Sequence, residues 1–287
     1  MALPLIKRPI DEPPIDRGLL SIEVELLLTG LAERYGYDFR NYARASLTRR
    51  IRRSVQQEGV ANVSALQERL LHDPAAAMRF VTSLSVHTTA MFRDVDVYRA
   101  LRNEVIPILR TYPFVRIWHV GCSSGEEVYS LAILLEETGL YERCRIYATD
   151  LSDAILERAR QGVFSLRSMR EYTQAYQRTG GTHDFSSYYV ADHQHAVLRQ
   201  SLRRNVVFSQ HNLVCDSAFN EFQLIMCRNV LLYFDNTLRD RALSLFNDSM
   251  SSFGLLVLGK KETLRYSSLE TRYRELGEGL RIYRRHG

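Results

Sequence analysis

The chain has 287 residues, with 38 basic against 33 acidic side chains and a formal net charge of +5. Its 45% hydrophobic and 25% charged content fits a globular protein and excludes a fibrous or wholly disordered one. No apolar run approaches the roughly 18 residues of a membrane-crossing helix, and Cys122, Cys144, Cys215 and Cys227 lack metal-ligand spacing, so a cytoplasmic protein with reduced thiols and no metal is expected.

Residues 1–18, rich in proline and interspersed with acids, read as a flexible lead-in without the continuous apolar stretch of a signal peptide. Residues 19–35 place Leu20, Val24, Leu27, Leu28 and Leu31 on one side at helical spacing. Residues 38–55 continue with an apolar seam of Leu47, Ile51 and Val55, and Arg49, Arg50, Arg52 and Arg53 cover much of the remaining circumference. Segments 64–71 and 73–84 read as two more helices, the last opened by Asp73-Pro74 as N-cap and first turn. An all-helical N-terminal domain over 19–85 is therefore expected. Residues 86–113 read as a linker and connecting helix, with the pattern broken at VHTTAMFR and resumed over 98–109.

From residue 114 onward, short apolar runs alternate with helical ones. Strand 115–120, helix 126–137, strand 145–149 and helix 153–161 come first; 206–210, 222–227, a helix at 237–250, and strands at 254–259 and 280–284 follow. This rhythm predicts an α/β fold, a parallel sheet with helices on both faces. Residues 163–204 interrupt it, and Gly180-Gly181 with Phe185, Tyr188 and Tyr189 suggests a small inserted antiparallel β-subdomain.

The most informative stretch is VRIWHVGCSSGEEVYS, residues 115–130: an apolar strand, a turn of small residues, two carboxylates and a helix. In open parallel sheets ligands sit beyond the carboxyl ends of such strands. The turn lacks both the three-glycine dinucleotide fingerprint and the Gly-Lys-Ser/Thr of a phosphate loop. Glu126 and Glu127 occupy the helix N-terminus that a phosphate would need. Asp150 ends the next strand, 25 residues after Gly125, where a ribose diol is held. A nucleoside without phosphates, S-adenosylmethionine (SAM), fits this pattern. The alternative is an ordinary βαβ unit whose acids only complement the helix dipole.

Five separated stretches together resemble the bacterial chemotaxis receptor glutamate methyltransferases of the CheR type: SLSVHTTAMFRD, GCSSGEEVYSLA, IYATDLSDAILERARQGVF, VVFSQHNL and FQLIMCRNVLLYFD. The resemblance spans about residues 20–284. It implies an all-α N-terminal domain, then a Rossmann-like SAM-dependent methyltransferase domain over 114–287 with the inserted β-subdomain. The implied reaction moves a methyl from SAM to glutamate carboxylates on the cytoplasmic helical bundle of a chemoreceptor, leaving S-adenosylhomocysteine. Such a carboxylate is ionised at neutral pH and needs no general base, so a site without a His/Asp or Cys/His pair is expected.

By the same resemblance, His87, Thr89, Arg93, Gly121, Glu127, Asp150, Asn212, Leu213, Arg228 and Asn229 contact the cofactor. Glu127 would face its charged end, Asp150 the ribose, Asn212 and Leu213 the adenine, and Arg228 and Asn229 the methionyl part. Turn capping is the plainer role for Asn212 and Asn229, and Cys227 reads as a core thiol. Arg93 and Tyr233 are the expected catalytic residues on the substrate side, and Arg49, Arg50, Arg52 and Arg53 resemble the basic helix that docks on an acidic receptor. Their helix lacks the interleaved aromatics of a nucleic-acid platform, and a monomer is expected.

The chain departs from the family pattern at His87, at Gly259-Lys260-Lys261-Glu262, at Ser251-Ser252-Phe253-Gly254, and in a short insert without a glycine-rich loop. The short insert implies independence from a receptor's C-terminal peptide tether. Competing readings are a methyltransferase of the same fold with another substrate, and a non-catalytic module that binds SAM or its demethylated product.

Overall fold

A computed structural model of the chain describes residues 17–84 and 89–287. Most of the expected lead-in and His87 lie outside the described residues. The chain forms two units, one of residues 17–40 and 44–84, the other of residues 41–43 and 89–287.

The first unit is all helical: α1 (Arg17–Tyr35), α2 (Arg44–Glu58), α3 (Val63–His72) and α4 (Pro74–Leu84). α1 buries Val24, Leu27, Leu28 and Leu31 at the expected spacing. Asn62 caps α3 by accepting from the Ala65 N–H at 2.9 Å, and Asp73 accepts from the Ala75 N–H at 2.9 Å at the start of α4. α2 begins six residues later than the apolar seam suggested. The Asp38 carboxylate binds the Arg40 amide and guanidinium and fixes a turn there instead. Its buried seam is Leu47, Ile51 and Ser54, with Val55 only half-buried.

In the second unit, α5 (Val95–Ala100), a π-helical stretch (Leu101–Val105) and α6 (Ile106–Leu109) run on continuously into the sheet. The strands are β1 (Val115–Val120), β2 (Cys144–Asp150), β6 (Val206–Gln210), β7 (Phe222–Cys227), β8 (Met250–Leu258), β9 (Tyr273–Leu276) and β10 (Ile282–Arg285). Their order is β6-β2-β1-β7-β8-β10-β9. The first five are mutually parallel, and β10 runs antiparallel to both its neighbours. The chain leaves β1 for β2 on one side and returns through β7 on the other. The crevice at the β1 and β7 tips is therefore the topological switch point, where such sheets bind ligands.

Helices α7 (Glu126–Glu137), α8 (Asp153–Gln161) and α10 (Asn236–Asp248) fall where the periodicity places them. β8 starts four residues before the expected strand. Ser251–Gly254 form no turn ahead of it but lie within it, beside a register shift and with Phe253 at φ 61°. β9 has no counterpart in the sequence reading, because Tyr273 is its one buried residue and alternation is invisible over four positions.

The insert holds the expected antiparallel sheet, β3 (Val163–Ser165), β5 (His195–Leu198) and β4 (Tyr189–Ala191), in the order β3-β5-β4. It also holds a helix that the sequence reading missed, α9 (Leu166–Arg178), which buries only Met169, Tyr172 and Tyr176. The Glu137 carboxylate at the end of α7 clasps this insert: it accepts from the Tyr176 hydroxyl, from the Thr182 N–H at 2.9 Å and from the Tyr188 hydroxyl at 3.3 Å, and pairs with Arg102. Burial alone would raise its pKa, but these partners outweigh that and hold it at about 2.

Candidate functional site

The crevice is built by turns that strain the backbone. Gly121, at φ +63°, ends β1, and an added Cβ would lie 2.5 Å from Val230 Cγ2, so only glycine fits. Phe92, Asp94, Ser123 and Asn229 are non-glycine residues with positive φ, and all lie in or beside the crevice. Left-handed non-glycine residues cluster at functional sites because the surrounding structure must hold them there.

Of the expected site residues, Thr89, Arg93, Gly121 and Glu127 meet Arg228, Asn229 and Tyr233 around one cleft of about 70 Å³. Sites that bury a whole ligand run to roughly 300 Å³ or more, so this cleft suits one end of a molecule. At its base Glu127 and Arg228 form a buried pair, Nη1 to Oε2 at 2.8 Å, and the Arg228 Nη2 reaches Asp94 Oδ2 at 2.5 Å. Lys260 joins through Asp96 at 2.6 Å and sits 4.0 Å from Asp94. Burial works against the Arg228 charge, but Glu127 and Asp94 outweigh it and strengthen its hold on the proton. Burial also lifts the Glu127 carboxyl above the usual glutamate value, against the pull of Arg228 and Arg93.

Glu262, the acid of the unusual Gly-Lys-Lys-Glu run, holds the floor. It accepts from the N–H groups of Gly259 at 2.6 Å, Asn229 at 2.9 Å and Leu232 at 3.3 Å. Neither this role nor those of Asp94 and Lys260 was assigned from sequence, since each rests on contacts between distant strand ends.

Asp150, Asn212 and Leu213 lie outside this cleft, along the ends of β2 and β6. Asp150 is tied to the cleft turn, accepting from the Ser123 N–H at 2.9 Å and the Ser152 N–H at 3.2 Å. The Asn212 Oδ1 accepts from the Val214 N–H at 3.0 Å, so that oxygen caps a turn, the plainer of its two roles. Leu213 is buried in the core cluster of Trp118 and Val120. By contrast, Asn229 Oδ1 is buried with no hydrogen-bond partner, which is not a turn cap. Cys122 and Cys227 are buried thiols whose pKa burial pushes well up, in keeping with core roles.

One residue of the cleft was not assigned from sequence. His119, on β1, lines the cleft with its Nε2 4.0 Å from Glu127 Oε2. Burial, helped by Arg228, depresses its pKa to about 3, so the ring is neutral and a weak base at physiological pH. A histidine near the carboxyl end of a largely apolar strand was the available signal.

In the helical unit, Arg49, Arg52 and Arg53 are exposed and line an open groove of about 930 Å³ with Leu20, Arg44, Ala45, Thr48 and Gln56. Arg50 departs from the expected docking set. Its guanidinium turns to the Leu84 carbonyl and satisfies the C-terminal end of α4. Among the described residues no cluster of side chains could hold a metal ion, and no helix is long and apolar enough to cross a membrane.

This cleft suits the methionyl end of SAM, which bears an ammonium, a carboxylate and a nearby sulfonium. Glu127 brings a buried acid to the cleft, Arg93 and Arg228 bring positive charge, and the buried Asn229 Oδ1 has no hydrogen-bond partner. The chain matches two family descriptions, the CheR methyltransferase all-alpha domain over residues 22–85 and the CheR methyltransferase SAM binding domain over residues 87–278. It is 50% identical to a Pseudomonas putida protein named "Putative methyltransferase Cher3", over 92% of this chain and 97% of that one. It is 30% identical to the chemotaxis protein methyltransferase of Listeria innocua (80% of this chain, 85% of that one) and to that of Escherichia coli (69% and 68%). The chain therefore belongs to the CheR family of chemotaxis methyltransferases, enzymes that draw their methyl group from S-adenosylmethionine.

Proposed function

We propose that the protein methylates glutamate side chains on the cytoplasmic helical bundle of a chemoreceptor, giving glutamate methyl esters for sensory adaptation. The observation that carries this reading is the cleft itself, where Arg93 and Tyr233 face the Glu127–Arg228 pair. SAM supplies an electrophilic methyl on a positively charged sulfur. An ionised substrate carboxylate forms its O–CH3 bond as the sulfur–methyl bond breaks; the electron pair stays on sulfur and no proton moves. The enzyme's task is therefore alignment and exclusion of water. Arg93 holds the carboxylate by a two-point fork and Tyr233 steers one oxygen. At the cofactor's other end Asp150 accepts from the ribose hydroxyls, and Asn212 and Leu213 border the adenine.

The protein acts as a monomer in the cytoplasm. Arg49, Arg52 and Arg53 around their groove meet the acidic face of the receptor bundle, while Arg50 stays committed to α4. Reversing those three to glutamate is expected to weaken receptor binding at least tenfold at low ionic strength and less at high salt, measured by calorimetry at two salt concentrations. Independence from a receptor peptide tether is supported by the tight β4–β5 connection. There Asp192 Oδ1 accepts from the Gln194 and His195 amides at 2.7 and 2.6 Å and leaves no long loop.

The decisive assay incubates the protein with methyl-labelled SAM and receptor cytoplasmic fragments. Label released as methanol by mild base identifies a carboxyl ester. Base-stable label selects another substrate, and binding of SAM without transfer to any receptor selects a signalling module.

A further inference from the structure

His119 belongs to β1, whose alternate residues Val115 and Ile117 enter the core cluster beneath α7. The same parity turns the His119 side chain toward α7, but at the strand's carboxyl end it meets the cleft. The residue is 3% exposed, and neither ring nitrogen has a hydrogen-bond partner. A buried imidazole left unsatisfied on both sides costs stability unless a ligand completes it. Its Nε2 lies 4.0 Å from Glu127 Oε2, too far for a direct hydrogen bond. Two acceptors at that separation can both be reached by one tetrahedral donor nitrogen lying about 2.9 Å from each.

We propose that His119 Nε2 and Glu127 Oε2 form a two-point seat for the α-ammonium of the cofactor's methionyl group. The inference rests on the cleft being the methionyl site. In this arrangement Nδ1 carries the ring proton and Nε2 presents its lone pair. Glu127 alone is poorly matched to a cation, because Arg228 already sits on the same oxygen at 2.8 Å. His119 adds an acceptor without adding charge, and its low pKa keeps that lone pair available at physiological pH. The seat makes the residue a determinant of selectivity between nucleosides that carry the amino-acid tail and those that lack it.

The test compares binding of S-adenosylhomocysteine with 5′-methylthioadenosine, which lacks the amino-acid group, by calorimetry. His119→Phe fills the volume without an acceptor, and His119→Gln restores an amide oxygen. His119→Phe is expected to weaken S-adenosylhomocysteine about tenfold or more, as for a hydrogen bond to a charged group, and to leave methylthioadenosine unchanged; His119→Gln should recover most of the loss. Equal loss for both nucleosides, or no loss for either, overturns the seat. If His119→Phe does not fold, the wild-type protein with 15N-labelled histidine decides. S-adenosylhomocysteine should move the His119 Nε2 resonance and methylthioadenosine should not, and a resonance that neither moves overturns the proposal. Failure of the wild-type protein to bind either nucleoside would instead defeat the cofactor-site reading, and the seat with it.

Discussion

Arg228→Ala should unfold the protein on the order of 10 °C earlier and abolish measurable SAM binding. The Arg228 side chain has no exposed surface, and it is shared between Glu127 and Asp94. Removing one member of a buried ion pair costs about 3–5 kcal/mol, because the surviving charge is left desolvated. Each kcal/mol shifts the melting point of a domain this size by about 2–4 °C. The loss should depend on pH in a defined direction. Burial already places the Glu127 pKa above its unfolded value, and without Arg228 it rises further. An acid with a raised folded-state pKa favours folding while protonated and loses that contribution as pH rises through the folded value. The variant should therefore lie closer to wild type near pH 5 than near pH 8. Thermal melts at the two pH values, with calorimetry for the cofactor, check both parts. A pH-independent deficit would place the lost stability outside the Glu127 charge.

The second large effect is on turnover. Arg93→Ala should keep SAM affinity within about tenfold and lower methyl transfer by about 10²-fold or more, the scale seen when one preorganised donor is removed from a reacting oxyanion. Arg93 lines the cleft with Tyr233, and its charge also helps to hold Glu127 ionised. That second influence is why some loss of affinity accompanies the loss of rate. Arg93→Lys should recover only part of the activity, since an ammonium cannot form the two-point fork. Single-turnover transfer at saturating SAM separates binding from chemistry. An unchanged rate would remove Arg93 from the reaction.

What the chain disclosed in advance follows the physics of each element. The strand, turn and helix at residues 115–137 were legible because burial on both faces makes β1 largely apolar and α7 begins at a glycine. α9 was missed although Met169, Tyr172 and Tyr176 stand at helical spacing, because Gly180-Gly181 and the aromatic cluster after it directed the reading to short strands. The cleft divided in the same way. Gly121 and Glu127 belong to one local motif, whereas the bonds that complete the site join residues 101 and 134 positions apart. No local pattern encodes which carboxylate Arg228 will meet. Arg50 was grouped with its neighbours by resemblance to a basic docking helix, and only the packed helices reveal its bond to the end of α4.

Helix α7 carries Glu127 near its first turn and Glu137 at its last, about 15 Å apart along a rigid axis. The residues from Val128 to Leu135 between them are all buried, which leaves the rod little freedom to flex. The chemistry and the appended β-layer thus share a single girder, bolted at one end by Arg228 and at the other by Tyr176, Thr182 and Tyr188. Surface residues on the outer strands can change without disturbing the cleft end of the helix, provided those few anchors to Glu137 persist.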